Sequence, residues 1–213
     1  MTRPIINAPR WAALAACAAL STLACVPAAQ AAQAEGPWLV RVRAVHLDPA
    51  NKDSTGLDLS INSKVIPELD ISYFITPNIA AELILTVPQK QDIRSGNTKI
   101  GSLKHLPPTL TVQYHFLPEA TVRPYVGAGV NYTRFSSVHF DPAVQTALQP
   151  SVDKDSWGWA LQAGVDFKIA DNLYLNLDIK KVQIRTDISS FGAKAGTFKV
   201  DPVLVGVGLG WRF

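Results

Sequence analysis

Leu173, Leu175, Leu177 and Ile179 alternate one for one with Tyr174, Asn176, Asp178 and Lys180. On an extended chain successive side chains point to opposite faces, so this run sets a row of hydrocarbon back to back with a polar and charged row. A period of two returns along most of the chain, and no segment keeps a 3.6-residue apolar stripe for three turns. Trp157, Trp159, Leu161, Ala163, Val165 and Phe167 oppose Gly158, Ala160, Gln162, Gly164 and Asp166. Val203, Val205, Val207, Leu209, Trp211 and Phe213 oppose Leu204, Gly206, Gly208, Gly210 and Arg212. Val126, Ala128, Val130 and Tyr132 oppose Tyr125, Gly127, Gly129 and Asn131, and weaker runs over 38–44, 68–73, 79–87 and 109–116 bring the predicted strands to eight.

An even number of strands, most near the roughly 9–11 residues that cross a bilayer at a tilt, predicts an all-β fold. Lipid offers no hydrogen bonds to an open sheet edge, so such a sheet must close on itself. The predicted architecture is an eight-stranded antiparallel transmembrane β-barrel, an up-and-down meander spanning 35–213. Short connections at 74–78, 117–121 and 170–172 alternate with long ones at 49–63, 88–103, 135–155 and 186–197. That alternation suits periplasmic turns on one rim and extracellular loops on the other, with a short helical turn over 141–148. The rival is a soluble lipocalin-like barrel with hydrocarbon inside and charge outside. Glycine on the charged face, where a narrow lumen crowds side chains, favours the lipid-facing version. Trp38, Tyr73, Tyr132, Trp157, Phe167 and Trp211 near strand ends suit two aromatic belts.

The first 34 residues read differently. Arg3 and Arg10 precede an uncharged run from Trp11 to Val26, and Ala32-Gln33-Ala34 stands just before Glu35. A basic start, an apolar middle and small residues at the cut describe a removable secretory signal peptide over 1–34, with Ala29-Gln30-Ala31 as an alternative cleavage site. The run is shorter than the roughly 20 residues of a spanning helix, which disfavours a retained anchor. Lipidation at Cys17 would leave too little apolar sequence before the cut. Cys17 and Cys25 both lie in this leader, so the mature chain carries no thiol. The formal charge of +3 less the two leader arginines leaves +1, which removes the electrostatic case for nucleic-acid binding.

Catalytic and metal chemistry has no visible carrier. His46, His105, His115 and His139 form no metal-ligand spacing, and Asp48 to Asp53 lacks the closing glutamate of a calcium loop. Gly127-Ala128-Gly129 sits inside a strand pattern and not between strand and helix, and Ser151 and Ser156 stand in no nucleophile elbow. The reading is therefore of a non-enzyme without cofactors. Trp211-Arg212-Phe213 closes the last amphipathic strand with an aromatic residue, and Trp211 and Phe213 resemble the signal read by the barrel assembly machinery.

From Trp38 to Phe213 the chain resembles the OmpW family of outer-membrane proteins. The resemblance is carried by Lys104-His105-Leu106-Pro107-Pro108-Thr109-Leu110-Thr111-Val112-Gln113-Tyr114-His115-Phe116 and Arg123-Pro124-Tyr125-Val126-Gly127-Ala128-Gly129-Val130-Asn131-Tyr132-Thr133. Val45-His46-Leu47-Asp48-Pro49, Ala160 to Asp166 and Val200-Asp201-Pro202 support it. It implies a monomeric barrel in the outer membrane of a Gram-negative bacterium, among membrane lipid and lipopolysaccharide. It also implies a narrow apolar channel through which small hydrophobic molecules, alkanes among them, enter from outside and leave sideways into the membrane. The alternative is a structural, adhesive or receptor barrel binding a partner through its extracellular loops. Family members often carry Trp where this chain has Tyr174 or Val203, an exchange of wall or girdle aromatics.

Three groups of residues become candidates for a site. Pro107 and Pro108 supply no backbone donors, so the ladder breaks or bulges there, as a lateral opening or as an ordinary strand start. Arg41, Arg43, Glu68, Asp70, Glu82, Asp166, Asp178 and Lys180 on inner faces pair into a floor that plugs the lower barrel, or line a continuous polar pore; the filled interior of eight strands favours the floor. Leu57, Leu59, Ile61, Ile93, Ile100 and Leu103, with Phe140 and Leu148 from the third long loop, are candidates for an apolar funnel above it.

Overall fold

The computed structural model describes residues 35–213, so the leader at 1–34 lies outside the described residues. In chain order the elements are β1 (Trp38–Asp48), β2 (Lys52–Asp53), β3 (Leu59–Ile61), β4 (Lys64–Phe74), β5 (Ile79–Thr86), β6 (Gln89–Ser95), β7 (Thr98–Leu106) and β8 (Thr109–His115). They continue with β9 (Val122–Phe140), α1 (Pro142–Leu148), β10 (Pro150–Val152), β11 (Asp155–Lys168), β12 (Leu173–Val182), β13 (Arg185–Ser190), β14 (Ala193–Lys199) and β15 (Val203–Arg212).

Eight of these close a ring of antiparallel neighbours, β1-β4-β5-β8-β9-β11-β12-β15 and back to β1. First and last strands are tied at the lower rim, where Trp38 and Phe213 exchange backbone hydrogen bonds of 3.0 and 2.8 Å. The ring therefore has no edge, as a chain in lipid requires. Leu175, Leu177 and Ile179 face outward and are exposed, while Asn176, Asp178 and Lys180 are buried in the lumen. The soluble alternative, with hydrocarbon turned inward, is thereby excluded. Glycine makes the charged rows fit: a Cβ on Gly208 would stand 2.6 Å from Arg43 Cγ, its cross-strand neighbour. Outward aromatics pair near the rims, Trp38 with Tyr73 and Tyr114 with Phe116 below, Tyr132 with Trp157 above.

The long connections need correcting. Three of the four stretches read as extracellular loops are largely strand, and the wall continues upward past the ring. The upper part of β9 pairs with β7, β7 with β6 and β6 with β3, while β10, β13, β14 and β2 form a second sheet. The reading missed β6 because its inner row begins Gln89 and Gln91, polar residues where alternation calls for hydrocarbon. The β13–β14 hairpin turns on Phe191 and Gly192, both at positive φ, a geometry Gly tolerates at no cost. The predicted helical turn is α1, preceded by Asp141 in extended conformation.

The outward face marks where lipid ends. Val87 is exposed hydrocarbon, but Lys90 and Arg94 on β6 and Lys99 and Lys104 on β7 are exposed charges. The membrane-spanning ring thus stops near Val87, and β6–β7 stands above it. Leu177→Arg, on the lipid face midway along β12, is expected to destabilise the folded barrel by about 2–4 kcal/mol, whereas Val65→Arg near the upper rim costs about 0–1 kcal/mol. Urea titration in lipid vesicles checks the difference; equal costs would contradict this orientation.

Candidate functional site

The alternation that turns β1 outward at Val42 turns Arg41 and Arg43 into the middle of the lumen, where both are fully buried. Arg41 contacts Asp166 at 2.6 Å and Asp70 at 3.1 Å, and lies 3.5 Å from Glu82. Arg43 reaches Asp70 at 2.6 Å, Glu68 at 2.9 Å, Glu82 at 3.4 Å and Asp178 at 3.6 Å. Lys180 pairs with Glu68 at 2.8 Å and Asp178 at 2.6 Å. All eight charges named from the sequence meet in one cluster drawn from β1, β4, β5, β11 and β12. Neutral groups complete it: Gln162 donates to Glu82 at 2.6 Å, Thr111 to Glu82 at 2.9 Å and Tyr125 to Asp178 at 2.9 Å. Charges taken out of water persist only when paired and hydrogen-bonded this way. The cluster fills the cross-section and leaves no continuous polar pore.

A second latch closes the periplasmic mouth, and the sequence gave no local sign of it. Glu35 accepts from Arg123 at 2.5 and 3.0 Å, Lys168 at 2.9 Å and Tyr174 at 2.7 Å, and pairs with Arg212 at 3.1 Å. Tyr174 is thus a buried lumen residue at the floor and not a wall or girdle aromatic, because it shares the inward parity of Asn176 and Asp178. Partial burial would raise the Glu35 carboxyl, but the bonds from Arg123, Lys168 and Tyr174 outweigh it and bring the pKa to about 2.

Above the ion-pair cluster three cavities lie in series. The lowest, about 420 Å³, has Glu68 and Lys180 at its base and Leu47, Ile66, Ile84, Ile184 and Leu204 around it, with Thr86 and Pro107 on one side. The middle one, about 280 Å³, is lined by Phe135, His105, Leu103 and Val200 and shares Ile184 with the lowest. The outermost, about 520 Å³, shares Ile61, Leu103, Thr186 and Phe198 with the middle one. Leu57, Leu59, Ile61, Ile93, Ile100, Leu103, Phe140 and Leu148 all line this outer cavity. Sequence reading missed Phe135, Ile184, Phe198 and Val200, which come from segments without a clean apolar alternation.

Pro107 and Pro108 sit between β7 and β8, collinear pieces of one wall strand. Pairing of β5 with β8 ends at Ile84–Thr109 and resumes between β6 and β7 at Gln89–His105. Residues 85–88 and 106–108 between those points form no ladder pair with each other. Pro88 adds a third missing donor to the same break. On the other flank the segment is stitched to β9: Tyr132 N–H donates to the Pro108 carbonyl at 3.1 Å, and Asn131 Nδ2 to Pro107 and Pro108 carbonyls at 3.4 and 3.2 Å. The interruption therefore opens on the β5–β6 side alone, beside the lowest cavity.

Two expectations test this assembly. Arg43→Met, which strands several buried carboxylates, is expected to destabilise the barrel by about 3–5 kcal/mol in urea unfolding; a neutral effect would contradict the network. Glu35 has a folded pKa depressed below its ordinary 4.5, so its contribution is present above that value and lost as pH falls towards about 2. The stability gap between wild type and Glu35→Gln should therefore shrink between pH 4.5 and 2, and a gap that stays constant would sink the latch.

The pattern of the OmpW family matches residues 34–213. The chain is 36% identical to the uncharacterized outer-membrane protein y4mB of Sinorhizobium fredii, over 98% of this chain and 94% of that protein. It is 32% identical to outer membrane protein W of Vibrio cholerae, over 85% of this chain and 91% of the relative. The crystal structure of the outer membrane protein OprG from Pseudomonas aeruginosa shares the fold, with a TM-score of 0.73 at 24% identity, covering 84% of this chain and 97% of that one. The chain belongs to the OmpW family and is a β-barrel of the Gram-negative outer membrane.

Proposed function

We propose that the barrel is a passive conduit for small hydrophobic molecules, which enter the outer apolar cavity and leave sideways into the membrane at Pro107-Pro108. The observation that carries this reading is the series of cavities. They share lining residues from the extracellular cup downward, end on the ion pairs of the floor, and touch the wall at the ladder break. A solute stopped by a charged floor beside a wall without hydrogen bonds meets its lowest resistance sideways, where lipid receives hydrocarbon favourably. No turnover or energy source is needed, and none of the residues lining the path resembles a catalytic constellation.

The surroundings follow from the same surface. We read 1–34 as a removable leader, and Trp211 and Phe213, both exposed at the lower rim, as the mark for the assembly machinery. Exposed Lys90, Lys104 and Arg134 just above the apolar band suit the phosphates of lipopolysaccharide. A receptor role is the second reading. It draws on Phe191, 62% exposed at the tip of the β13–β14 hairpin.

The test is uptake of a hydrophobic fluorescent probe by deletion cells producing wild type, Leu103→Trp, or Pro107→Ala/Pro108→Ala at equal surface amounts. Leu103 lines both the outer and middle cavities, so its enlargement is expected to cut uptake several-fold. The alanine pair restores two backbone donors and is expected to slow release likewise. Equal uptake in all strains and in cells lacking the protein would defeat the conduit and leave the receptor reading.

A further inference from the structure

The apolar lumen above the floor contains polar groups that satisfy nothing. Gln91 is fully buried, and among the described residues neither its amide oxygen nor its amide nitrogen has a hydrogen-bond partner. His105 is 3% exposed, and its Nε2 is likewise without one. A buried polar atom left unpaired costs about 1–3 kcal/mol, so two such side chains on one wall call for a cause. Both belong to the inward rows of β6 and β7. Gln91 stands opposite Leu103, and His105 opposite Gln89 on one side and Phe135 on the other. Gln91 and His105 are therefore diagonal cross-strand neighbours on one face, with backbones about 7–8 Å apart and long side chains in reach of a common atom.

Their place in the lumen is specific. His105 lines the middle cavity, the smallest of the series, and Leu103 between the two polar residues lines both the middle and outer ones. A solute moving inward passes them after leaving a cup built from Leu, Ile and Phe side chains. Burial, helped by the positive charge of Lys64, holds the His105 pKa down at about 4, so at neutral pH the ring is uncharged. Neutral imidazole and carboxamide each offer a donor and an acceptor in total.

We propose that Gln91 and His105 form a polar reading point that selects hydrophobic molecules bearing one uncharged hydroxyl, alcohols or phenols, over bare hydrocarbons of the same skeleton. The inference rests on the conduit reading and deepens it. A hydroxyl both donates and accepts, so one such group can serve the amide and the imidazole together. A hydrocarbon leaves them unpaired. Ionised head groups are rejected, because the middle cavity holds no countercharge and burying a lone charge there is costly. A site built to bond a hydroxyl discriminates against the analogue lacking it more sharply than an apolar pocket distinguishes shapes.

The experiment uses naphthalene and 1-naphthol, which share a skeleton and are both fluorescent. Deletion cells display equal surface amounts of wild type, the Gln91→Leu/His105→Phe pair, or His105→Gln, and protein-dependent uptake of each probe is followed. The pair is expected to take up 1-naphthol about five- to ten-fold more slowly than wild type, with naphthalene unchanged or faster. His105→Gln, which keeps a donor and an acceptor, is expected to retain most of the preference. If the pair does not reach the surface, Gln91→Leu alone is compared in the same way. Parallel changes for both probes, or an unaltered 1-naphthol rate, would overturn the reading point while leaving the conduit intact. Absence of protein-dependent uptake of either probe would bring down the conduit and the reading point with it.

Discussion

The structure depends on the closure of β15 onto β1. Lipid cannot hydrogen-bond a strand edge, so every ring strand must find two neighbours before the hydrocarbon face can be stable there. Once the ring closes, parity does the rest. Residues at odd positions of β1 meet at the axis, and the narrow lumen of eight strands forces their side chains together. Arg41 and Arg43 can stand there only because acids from β4, β5, β11 and β12 arrive at the same height. The register that closes the backbone also assembles the floor, so a slip of one residue would cost both at once.

The ring was legible in the sequence because lipid enforces a clean rule. Each outward position from Val126 to Val130, or from Val203 to Trp211, must be apolar, and each inward neighbour small or polar. The extracellular extension obeys no such rule. Lys90, Arg94 and Lys104 face water while Gln89, Gln91 and His105 face inward, so both rows of β6 are polar and the strand leaves no period-two trace. The lumen charges were readable one strand at a time. Their pairing was not, because Arg41 and Asp166 lie 125 positions apart and only the closed ring brings them together. Glu35 belongs to no strand at all, and its four partners come from four distant segments.

The eight apolar residues suggested for the funnel do surround one cavity, yet for a mixed reason. Leu57 and Leu59 reach it from the first extracellular segment, Ile93 and Leu103 from paired strands, and Phe140 and Leu148 from either side of the short helix. Hydrocarbon in an extracellular segment has few places to go except toward other hydrocarbon, so its convergence was readable without the strand assignments. The polar interruptions, Gln91 and His105, carried no such signal. A glutamine in a presumed loop is unremarkable until the backbone turns it inward.

The salt-bridged floor has one more consequence. Because the plug is built from fixed side chains on five strands and not from a movable loop, the lumen admits no ionic current along its axis. A cell can therefore hold many copies in its outer surface without short-circuiting the periplasm or admitting hydrophilic toxins. Permeability to grease and tightness to salt become properties of one wall.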